Sequence, residues 1–328
     1  MQRTLEGKKV LVTGGAGFIG SNLCRSLLDH DNEVKCFDNL ATGKRENIEP
    51  FLENENFTFV GGDIRDYDLC LKHTAGVDVI LHQAALGSVP RSINDPLATN
   101  SVNITGFLNV LDAAKQNGIP RFVYAASSST YGDSQALPKV EENIGMPLSP
   151  YAVTKYVNEL YAHVYGNLHE MKIIGLRYFN VFGRNQSPEG AYAAAIPKFV
   201  SAFLRHESPV IHGDGKQTRD FTYIDNVIQI NHLAATTENE NAFNQVYNVA
   251  VGHRTSLLEV IDTIKAALSN YDPKIGEIEV NFGPSRPGDV RDSLADISKA
   301  KKLLGYRPTH DFREGIVEAI EWYRNSLC

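Results

Sequence analysis

Two hydrophobic periods alternate along the first half of the chain. Short, mostly apolar runs of four to seven residues are followed by longer stretches whose apolar residues recur every three or four positions. The short runs predict buried strands and the longer stretches predict amphipathic helices. The predicted strands cover 9–13, 33–37, 57–60, 77–82, 121–126 and 172–178, and the predicted helices cover 18–29, 96–116 and 151–168. This alternation predicts an α/β protein with a Rossmann-type doubly wound parallel sheet.

The second half of the chain has a different pattern. From about residue 180 prolines and glycines become frequent and the alternation of strands and helices loosens. We therefore expect residues 1–180 to form the sheet domain and residues 181–328 to form a smaller lobe over its edge. The region near 219–250 contains a helical pattern and a strand pattern, and we expect it to return to the first domain.

Three glycines at three-residue intervals follow the first predicted strand: Gly14, Gly17 and Gly20. In a strand–turn–helix unit they permit a tight turn, close approach of a pyrophosphate and close packing of the helix on the strand. The second strand runs into Asp38, 18 residues beyond Gly20, where an acidic residue binds the adenosine ribose. A carboxylate there repels a 2′-phosphate, so the pattern favours NAD, although Lys44 and Arg45 nearby keep NADP open.

Composition narrows the class of protein further. Hydrophobic residues make up 42% of the 328 residues, and the formal net charge of −7 comes without blocks of like charge. This balance is that of a soluble globular protein and argues against a nucleic-acid partner. No apolar run approaches the ~18–20 residues of a membrane span, so no membrane partner is expected. The cysteines have neither metal-ligand nor redox spacing, which predicts no metal site and a cytoplasmic location: Cys24, Cys36, Cys70 and Cys328.

A tyrosine and a lysine lie four residues apart at the start of the third predicted helix. This spacing places Tyr151 and Lys155 on one helix face. The pKa of a free phenol is near ~10, and an adjacent cation, together with the positive nicotinamide ring of NAD, would lower it so that Tyr151 could act as a general base towards a sugar hydroxyl. The preceding strand ends in three serines, Ser127–Ser129, whose hydroxyls both donate and accept. One of them can hold a reacting oxygen against the phenol.

Five segments occur in the order typical of one enzyme family. They are TGGAGFIGS, SSSTYG, SPYAVTK, RYFNVFG and RDFTYID, at residues 13–21, 127–132, 149–155, 177–183 and 219–225. On these motifs, which extend over nearly the whole chain, the sequence resembles the extended short-chain dehydrogenase/reductases. Within them it resembles the UDP-hexose 4-epimerases, and it is most similar to the branch that acts on N-acetylated hexosamines.

The resemblance implies a role for each matching position. The residues expected to bind NAD are Gly14, Gly17, Phe18, Ile19, Gly20, Asp38, Asn39, Asp63, Ile64, Gln83, Ala84, Ala85, Asn103, Tyr151, Lys155 and Tyr178. The catalytic residues are expected to be Ser127, Tyr151 and Lys155. The residues expected to bind the UDP-sugar are Gly87, Ser88, Ser127, Ser128, Ser129, Tyr151, Asn180, Ala194, Arg219, Arg286, Asp289 and Ser293. Among these, Asn180 and the two arginines would hold the diphosphate, which suits guanidinium chemistry.

The implied reaction is a reversible inversion at carbon 4 of a UDP-hexose through a transient 4-keto sugar. Tightly bound NAD is regenerated in each turnover, and the remote UDP anchors a sugar that must turn over between the two steps. The expected substrates are UDP-N-acetylglucosamine and UDP-N-acetylgalactosamine, with UDP-glucose and UDP-galactose possible as well. The resemblance also implies a homodimer.

Two small residues distinguish this chain from the enzymes that act on glucose and galactose. Ala194 stands where those enzymes have an asparagine near the sugar, and Ser293 where some have a tyrosine at the pocket wall. Gly87 and Ser88 likewise replace a larger residue and an alanine. These differences predict a pocket with room for a 2-acetamido group, although neutral drift at exposed positions would give the same pattern. Discrimination by size alone is worth ~1–3 kcal/mol, so activity on smaller hexoses can persist.

Three other functions fit the same scaffold. A 4,6-dehydratase or a decarboxylase needs a further carboxylate close to the active-site hydroxyl, and this chain has Ser128 and Ser129 there. A UDP-glucuronate 4-epimerase stays open, because Arg91 or Arg184 could meet a carboxylate. A non-enzymatic NAD-binding regulator would be expected to lose Tyr151 or Lys155, and both are present.

Overall fold

The central sheet has seven parallel strands in the computed structural model, which describes residues 3–189, 194–284 and 291–327. The strands in chain order are β1 (Lys9–Thr13), β2 (Glu33–Asp38), β3 (Phe57–Gly61), β4 (Val79–His82), β5 (Arg121–Ser127), β6 (Lys172–Tyr178), β7 (Val181–Phe182), β8 (Val210–His212), β9 (Thr218–Arg219), β10 (Thr222–Tyr223), β11 (Gln245–Val249), β12 (Thr255–Ser256) and β13 (Asn281–Gly283). The order across the large sheet is β11-β6-β5-β4-β1-β2-β3. The predicted Rossmann-type sheet is confirmed.

The helices are α1 (Phe18–Leu28), α2 (Tyr67–Thr74), α3 (Val89–Asn94), α4 (Pro96–Asn100), α5 (Phe107–Gln116), α6 (Pro150–His169), α7 (Ala195–Leu204), α8 (Ile224–Thr236), α9 (Leu257–Ser269), α10 (Ser298–Leu304) and α11 (Phe312–Leu327). The helical pattern at 96–116 is divided into α4, a π-helical turn at Ser101–Gly106, and α5. The described residues contain no helix with both the length and the apolar character needed to cross a membrane.

The strand order reverses between β1 and β4. From this point β2 and β3 extend to one side, and β5, β6 and β11 extend to the other. The loops that leave β1 and β4 therefore diverge, which opens a crevice at the carboxyl edge of the sheet. The residues expected to carry chemistry in the first 180 positions lie at or just after the end of a strand at this edge, or in the first turns of the helix that follows, except for Asn103 in the π-helical turn.

The sheet is covered on both faces because residues alternate along each strand. Leu11, Ile80 and Phe122 pack into a cluster with α5, whereas Val12, Leu81 and Val123 pack into the larger core on the opposite face. Each such fully buried side chain contributes about 1.5–3 kcal/mol of transfer free energy. This two-sided burial explains the nearly continuous apolar runs of the sequence.

The chain returns to the sheet after residue 219. α8 packs against α1 and β5, and β11 pairs with β6 in parallel, in the register Val249 opposite Tyr178. The remaining C-terminal elements form small two-stranded pairings: β7 with β10, β9 with β12 and β8 with β13. The pairing of β7 with β10 and that of β6 with β11 together place the loops that follow β9 and β11 next to the end of β6.

Candidate active site

One crevice of about 530 Å³ follows the carboxyl edge of the sheet, a volume within the range of small-molecule sites. It brings together most of the residues expected to bind the cofactor and to catalyse: Gly14, Gly17, Phe18, Ile19, Gly20, Asp38, Asn39, Asp63, Ile64, Gln83, Ala84, Ala85, Ser127, Tyr151, Lys155 and Tyr178. Gly87, which was expected to bind the UDP-sugar, lines the same crevice. The crevice is also lined by residues that the sequence analysis did not single out, among them Phe37, Thr42, Gly62, Arg65, Leu86, Ala98, Val102 and Val181.

The glycine turn leaves no room for side chains. A Cβ at Gly20 would lie 2.1 Å from the carbonyl oxygen of Gly14, and one at Gly14 would lie 2.7 Å from the backbone of Ala84. Gly14 also has a φ of 67°, a conformation that favours glycine. The turn runs directly into the N-terminus of α1, where free N–H groups and the helix dipole favour an anion. The backbone therefore forms a cradle suited to a pyrophosphate.

Asp38 is buried at the end of β2, beside this turn. Its two carboxylate oxygens accept hydrogen bonds from the backbone N–H of Ala16 at 3.0 Å and of Leu40 at 2.7 Å. Burial raises the pKa of the carboxyl, and the two N–H donors counteract the shift. The side chain lines the crevice, and each oxygen keeps a further lone pair for a ribose hydroxyl. Lys44 is one of the two cations that left NADP as an alternative cofactor in the sequence analysis, and it forms an ion pair with Glu189 at 2.7 Å.

At the far end of the crevice, Asp63 is held by two neighbours. Arg65 donates to it from Nε at 3.0 Å and from a terminal nitrogen at 2.6 Å, and Asn39 donates at 2.9 Å. These hydrogen bonds lower the pKa of Asp63 to about 2. The carboxylate is thus a fixed hydrogen-bond acceptor, and the sequence analysis did not identify Arg65 as its partner.

Ser127, Tyr151 and Lys155 meet at the middle of the crevice. Ser127 ends β5, and its hydroxyl accepts hydrogen bonds from the backbone N–H of Ser129 at 3.2 Å and from the Ser129 hydroxyl at 2.9 Å. It also interacts with the phenol of Tyr151, and this interaction lowers the phenol's pKa. α6 begins at Pro150 with its N-cap Ser149, and this start sets the positions of both Tyr151 and Lys155.

Lys155 is 3% exposed, and its Nζ donates to the carbonyl oxygen of Ala125 at 2.8 Å. Burial lowers its pKa to about 8, while the charge of Glu159 acts in the opposite direction. Among the protein's own groups, burial raises the pKa of Tyr151, and the interaction with Ser127 acts in the opposite direction. Desolvation of the phenolate is therefore the larger effect among these groups, and the expected acidification by Lys155 together with the nicotinamide ring stays a prediction.

Tyr178 lies at the end of β6, across the crevice from the glycine turn. Its hydroxyl donates to Gln83 at 3.3 Å and accepts from Asn231 at 2.9 Å, and burial raises its pKa to about 12. Gln83 also contacts Asn231 at 3.4 Å, so the three side chains form a closed network. The network keeps the phenol neutral and its ring fixed. Asn231 belongs to α8 and could not be found from motif spacing.

Asn103 lies behind the crevice wall rather than along it. Its amide donates to the carbonyl oxygen of Leu86 and to Thr154, each at 3.1 Å, and accepts from the N–H of Leu86 at 2.7 Å. Thr154 is in α6, between Tyr151 and Lys155. The contacts therefore join the loop after β4 to the helix that carries the tyrosine.

The residues expected to bind the sugar nucleotide are more scattered. Ser88 caps α3 with a φ of 95°, Ser128 and Ser129 form the turn after β5, and Ala194 precedes α7. Asn180 donates to the backbone oxygen of Asp220 at 3.0 Å, and Ser293 donates its N–H to the backbone oxygen of Thr218 at 3.1 Å, next to Arg219. Arg286 and Asp289 lie outside the described residues.

Asp220 connects these scattered segments, and the sequence analysis did not single it out. Its carboxylate is fully buried and accepts hydrogen bonds from the N–H groups of Val251, Gly252 and Ala295 at 3.0–3.2 Å. Burial raises its pKa to about 6. One carboxylate therefore holds the loop after β11 and the segment near Ser293 against the strand end that carries Arg219.

Three cysteines and His82 are buried side chains of the described residues. Cys24, Cys36 and Cys70 are free and buried. His82 is buried with Nδ1 2.9 Å from the hydroxyl of Thr13, and burial lowers its pKa to about 3. Cys328 lies outside the described residues.

A crevice with a backbone pyrophosphate cradle, a buried ribose acceptor and a Ser–Tyr–Lys group defines a dinucleotide-dependent enzyme of the short-chain dehydrogenase/reductase type. Comparison with known proteins agrees: residues 10–250 match the NAD dependent epimerase/dehydratase family. The chain belongs to this family. The predicted NAD dependence and the predicted resemblance to UDP-hexose 4-epimerases are confirmed.

Several relatives match over their whole length. A putative UDP-glucose 4-epimerase of Methanocaldococcus jannaschii is 38% identical over 97% of this chain and 99% of its own. The structure of a UDP-N-acetylglucosamine 4-epimerase from Methanobrevibacter ruminantium, in complex with UDP-N-acetylmuramic acid, is 39% identical and superimposes with a TM-score of 0.90 over 98% of this chain and 99% of its own. A UDP-glucose 4-epimerase from Thermotoga maritima, solved with UDP-glucose, is 33% identical, with a TM-score of 0.89 over 98% and 100%.

Proposed function

We propose that this NAD-dependent UDP-sugar 4-epimerase interconverts UDP-N-acetylglucosamine and UDP-N-acetylgalactosamine, and that it retains activity on UDP-glucose and UDP-galactose. The main support for this reaction is that Ser127, Tyr151 and Lys155 line the same crevice as the glycine turn. The preference for N-acetylated sugars is supported by small residues at the substrate side and by the likeness to the UDP-N-acetylglucosamine 4-epimerase.

The three side chains divide the proton chemistry among them. Tyr151 removes the proton from the hydroxyl of sugar carbon 4, and Ser127, which interacts with the phenol of Tyr151, holds the same substrate oxygen. Lys155 stabilises the phenolate with its charge, and the backbone oxygen of Ala125 fixes its direction. NAD, held by the glycine turn and Asp38, supplies a reversible acceptor for the hydrogen on carbon 4 and a positive ring that further lowers the phenol's pKa. The transient ketone must turn over before Tyr151 returns the proton.

The substrate side offers space where the sugar would turn. A Cβ at Gly87 would meet no atom within 4 Å, and Ala194 is exposed at the start of α7. Ser293 is half-buried and hydrogen-bonded through its backbone, so its small side chain is free to border a pocket. A 2-acetamido group needs this extra volume, whereas the smaller hexoses do not. Nucleotide anchoring is assigned to Asn180 and Arg219, together with Arg286 and Asp289.

Two rival functions are less well supported. A dehydratase or decarboxylase requires an acid or base beyond Tyr151, and Ser128 and Ser129 occupy the turn where it would stand. A uronate 4-epimerase would need a cation for the substrate carboxylate. Arg184 is engaged already, because it donates to Asp225 at 2.6 Å and to the hydroxyl of Tyr223 at 3.2 Å.

We also propose that residues 1–180, with the segment near 219–250, hold the cofactor and that the rest of 181–328 holds the sugar nucleotide. The pairing of β11 with β6 and the packing of α8 against α1 and β5 support this division. The free, buried thiols of Cys24, Cys36 and Cys70 support the expected cytoplasmic location, because such thiols are typical of reducing compartments.

A homodimer through the outer face of α6 is part of the proposal. Val153, Leu160, Val164 and Leu168 are 46–71% exposed and recur at helical spacing along one face. On α4, which packs against α6, Leu97 is 83% exposed, and Ile93 on α3 is 60% exposed. A continuous apolar strip of this kind is unusual on a monomer, and a second copy of the same helices would cover it.

The test is a side-by-side assay of the purified enzyme with five UDP-sugars: the N-acetylated pair, UDP-glucose, UDP-galactose and UDP-glucuronate. We expect kcat/KM to be highest for the N-acetylated pair and lowest for the uronate. Ser293→Tyr should remove most activity on the N-acetylated pair and keep that on glucose and galactose. The exposed Ser326→Tyr on α11 is the matched control and should change neither. An equal loss on both pairs in Ser293→Tyr would contradict the assigned pocket.

A further inference from the structure

A buried ion pair lies beneath the reacting side chains. Glu159 follows Lys155 by one turn of α6, as Lys155 follows Tyr151, so all three lie along one strip of the helix. Its carboxylate is gripped by Arg177 of β6, with Nε at 2.9 Å from Oε1 and a terminal nitrogen at 2.7 Å from Oε2. The side chains of the pair are only 4% and 6% exposed.

The pair also reaches the serine turn. The hydroxyl of Thr130 lies 3.4 Å from Oε1 of Glu159 and donates to the backbone oxygen of Ser127. On the other side, Arg177 donates to the backbone oxygen of Glu141 at 2.9 Å, and its guanidinium lies 4.9 Å from the ring centre of Tyr131. Glu159 is therefore connected to the helix that carries the base and to the strand end that carries the serine.

Stability alone is a weak reason for such a pair. Replacing a buried ion pair with apolar residues of similar volume is often neutral or stabilising, because desolvation offsets the attraction. Its charges are therefore better explained by what they do to a neighbour. We infer that Glu159 is a positioning residue for the reaction. Glu159 orients the Ser127 turn against Tyr151, and its negative charge keeps Lys155 in its ammonium form. The inference rests on the proposed function, because Glu159 acts through those three residues.

The electrostatics agree with this arrangement. Burial lowers the pKa of Lys155 to about 8. This value is close enough to pH 7 that loss of a nearby negative charge would leave Lys155 neutral in part of the enzyme population. The charge of Glu159 raises that pKa. Two other titratable groups face Lys155, Tyr151 from its own helix and His82 from β4. Both stay neutral near pH 7, because burial raises the pKa of the phenol and lowers that of the imidazole to about 3.

The remaining titratable groups on the packed strands do not replace Glu159. Burial raises the pKa of Tyr124 on β5 well above its ordinary value and that of Tyr178 on β6 to about 12, so both are neutral. Arg177 is bound to Glu159 itself, and the pairing raises its pKa against the effect of burial. Glu159 is thus the negative charge that acts on Lys155 among these groups.

The experiment compares pH profiles of kcat for the wild-type holoenzyme and for Glu159→Gln. We expect the alkaline limb of the variant to move to lower pH by about one unit, with little change in KM. Because Glu159→Gln leaves Arg177 without its partner, the double variant Glu159→Gln/Arg177→Gln is measured as well. It has no unpaired buried charge, and its alkaline limb should move in the same direction while its Tm recovers. Glu159→Asp, which keeps the charge, should retain most of the wild-type limb.

The matched control is Glu141→Gln. Glu141 is another buried carboxylate, on the far side of Arg177, and its Oε1 accepts a hydrogen bond from the N–H of Asn248 at 2.9 Å. Its replacement does not remove a charge that acts on Lys155. Its alkaline limb should coincide with that of the wild type even if its Tm falls. Wild-type limbs in both Glu159→Gln and the double variant would overturn the inference, whatever their Tm.

A second measurement does not depend on turnover. The rate at which acetic anhydride modifies Lys155 is followed by mass spectrometry from pH 6 to 10, which gives the pKa of the amine directly. Glu159→Gln should lower it, and an unchanged value would refute the electrostatic part of the inference. If the wild type converts none of the UDP-sugars, the proposed function fails, but this titration still decides whether Glu159 sets the charge of Lys155.

Discussion

Gly20→Ala tests whether the backbone of the glycine turn is the cofactor cradle. The new Cβ would lie 2.1 Å from the carbonyl oxygen of Gly14 and 2.7 Å from Cα of Gly15, and neither atom belongs to a flexible side chain. Contacts between non-bonded heavy atoms are favourable only near ~3.5 Å, so the turn and the start of α1 must separate by about 1 Å. The displaced groups are the ones assigned to the pyrophosphate.

The expected magnitude follows from two opposing terms. Overpacking costs about 1–3 kcal/mol, whereas alanine gains about 1 kcal/mol over glycine inside a helix. The net loss of folding stability should therefore be about 2 kcal/mol or less, and the protein should still fold. NAD affinity should fall by about ten- to a hundredfold, since each 1.4 kcal/mol of lost contact energy is a factor of ten.

The assay is calorimetric titration of the apoprotein with NAD, with Tm measured in parallel. Gly61→Ala is the control, because its Cβ would lie 3.7 Å from the ring of Phe59, an ordinary contact, at a glycine of β3 near the same crevice. It should bind NAD like the wild type. If Gly20→Ala binds NAD within about threefold of the wild type, the turn is not the cradle and the assignment of the crevice fails.

Three further predictions test other parts of the site. Tyr151→Phe should keep its fold and NAD content while kcat falls by about 10²–10⁴, the usual contribution of a general base, and undiminished turnover would contradict its role. Asp38→Asn should reduce the preference for NAD over NADP by about tenfold or more, because a carboxylate repels a 2′-phosphate by about 1–4 kcal/mol at close range; an unchanged ratio of Kd values would argue against it. Leu97→Asp should convert a dimer into a monomer in sedimentation velocity, whereas Val317→Asp, at a position 64% exposed on α11, should leave the mass unchanged. A dimer in both would place the interface elsewhere.

The cofactor half of the site was predictable because its determinants are local. The glycine spacing, the distance from Gly20 to Asp38 and the four-residue interval from Tyr151 to Lys155 all lie within single strand–turn–helix units. The hydrophobic pattern then marks where each strand ends, and so which loops leave its carboxyl end. The parallel sheet brings these units to one edge without further information, so short-range pattern and topology suffice.

Two of the missed residues, Asp220 and Asn231, act over long separations. Asp220 contacts Ala295, 75 residues away, and Asn231 contacts Tyr178, 53 residues away. No periodicity links such pairs, because their meeting depends on how the C-terminal lobe packs on the sheet. The effect of burial on Tyr151 could not be predicted from spacing either: the four-residue interval places a cation nearby, but the burial that raises the pKa of the phenol depends on the packing around it.

The two halves of the crevice differ in how much movement they permit, and this difference suits an epimerase. Around the cofactor, a methyl group at Gly14 or Gly20 would overlap backbone atoms, so the cradle permits one geometry. At Gly87, which we propose to be on the substrate side, the same methyl group would meet nothing within 4 Å. An enzyme that oxidises and then reduces the same carbon from opposite sides must keep its dinucleotide still while the sugar turns. Rigid enclosure on one side and open space on the other provide this, with binding energy drawn from the remote nucleotide rather than from the reacting sugar.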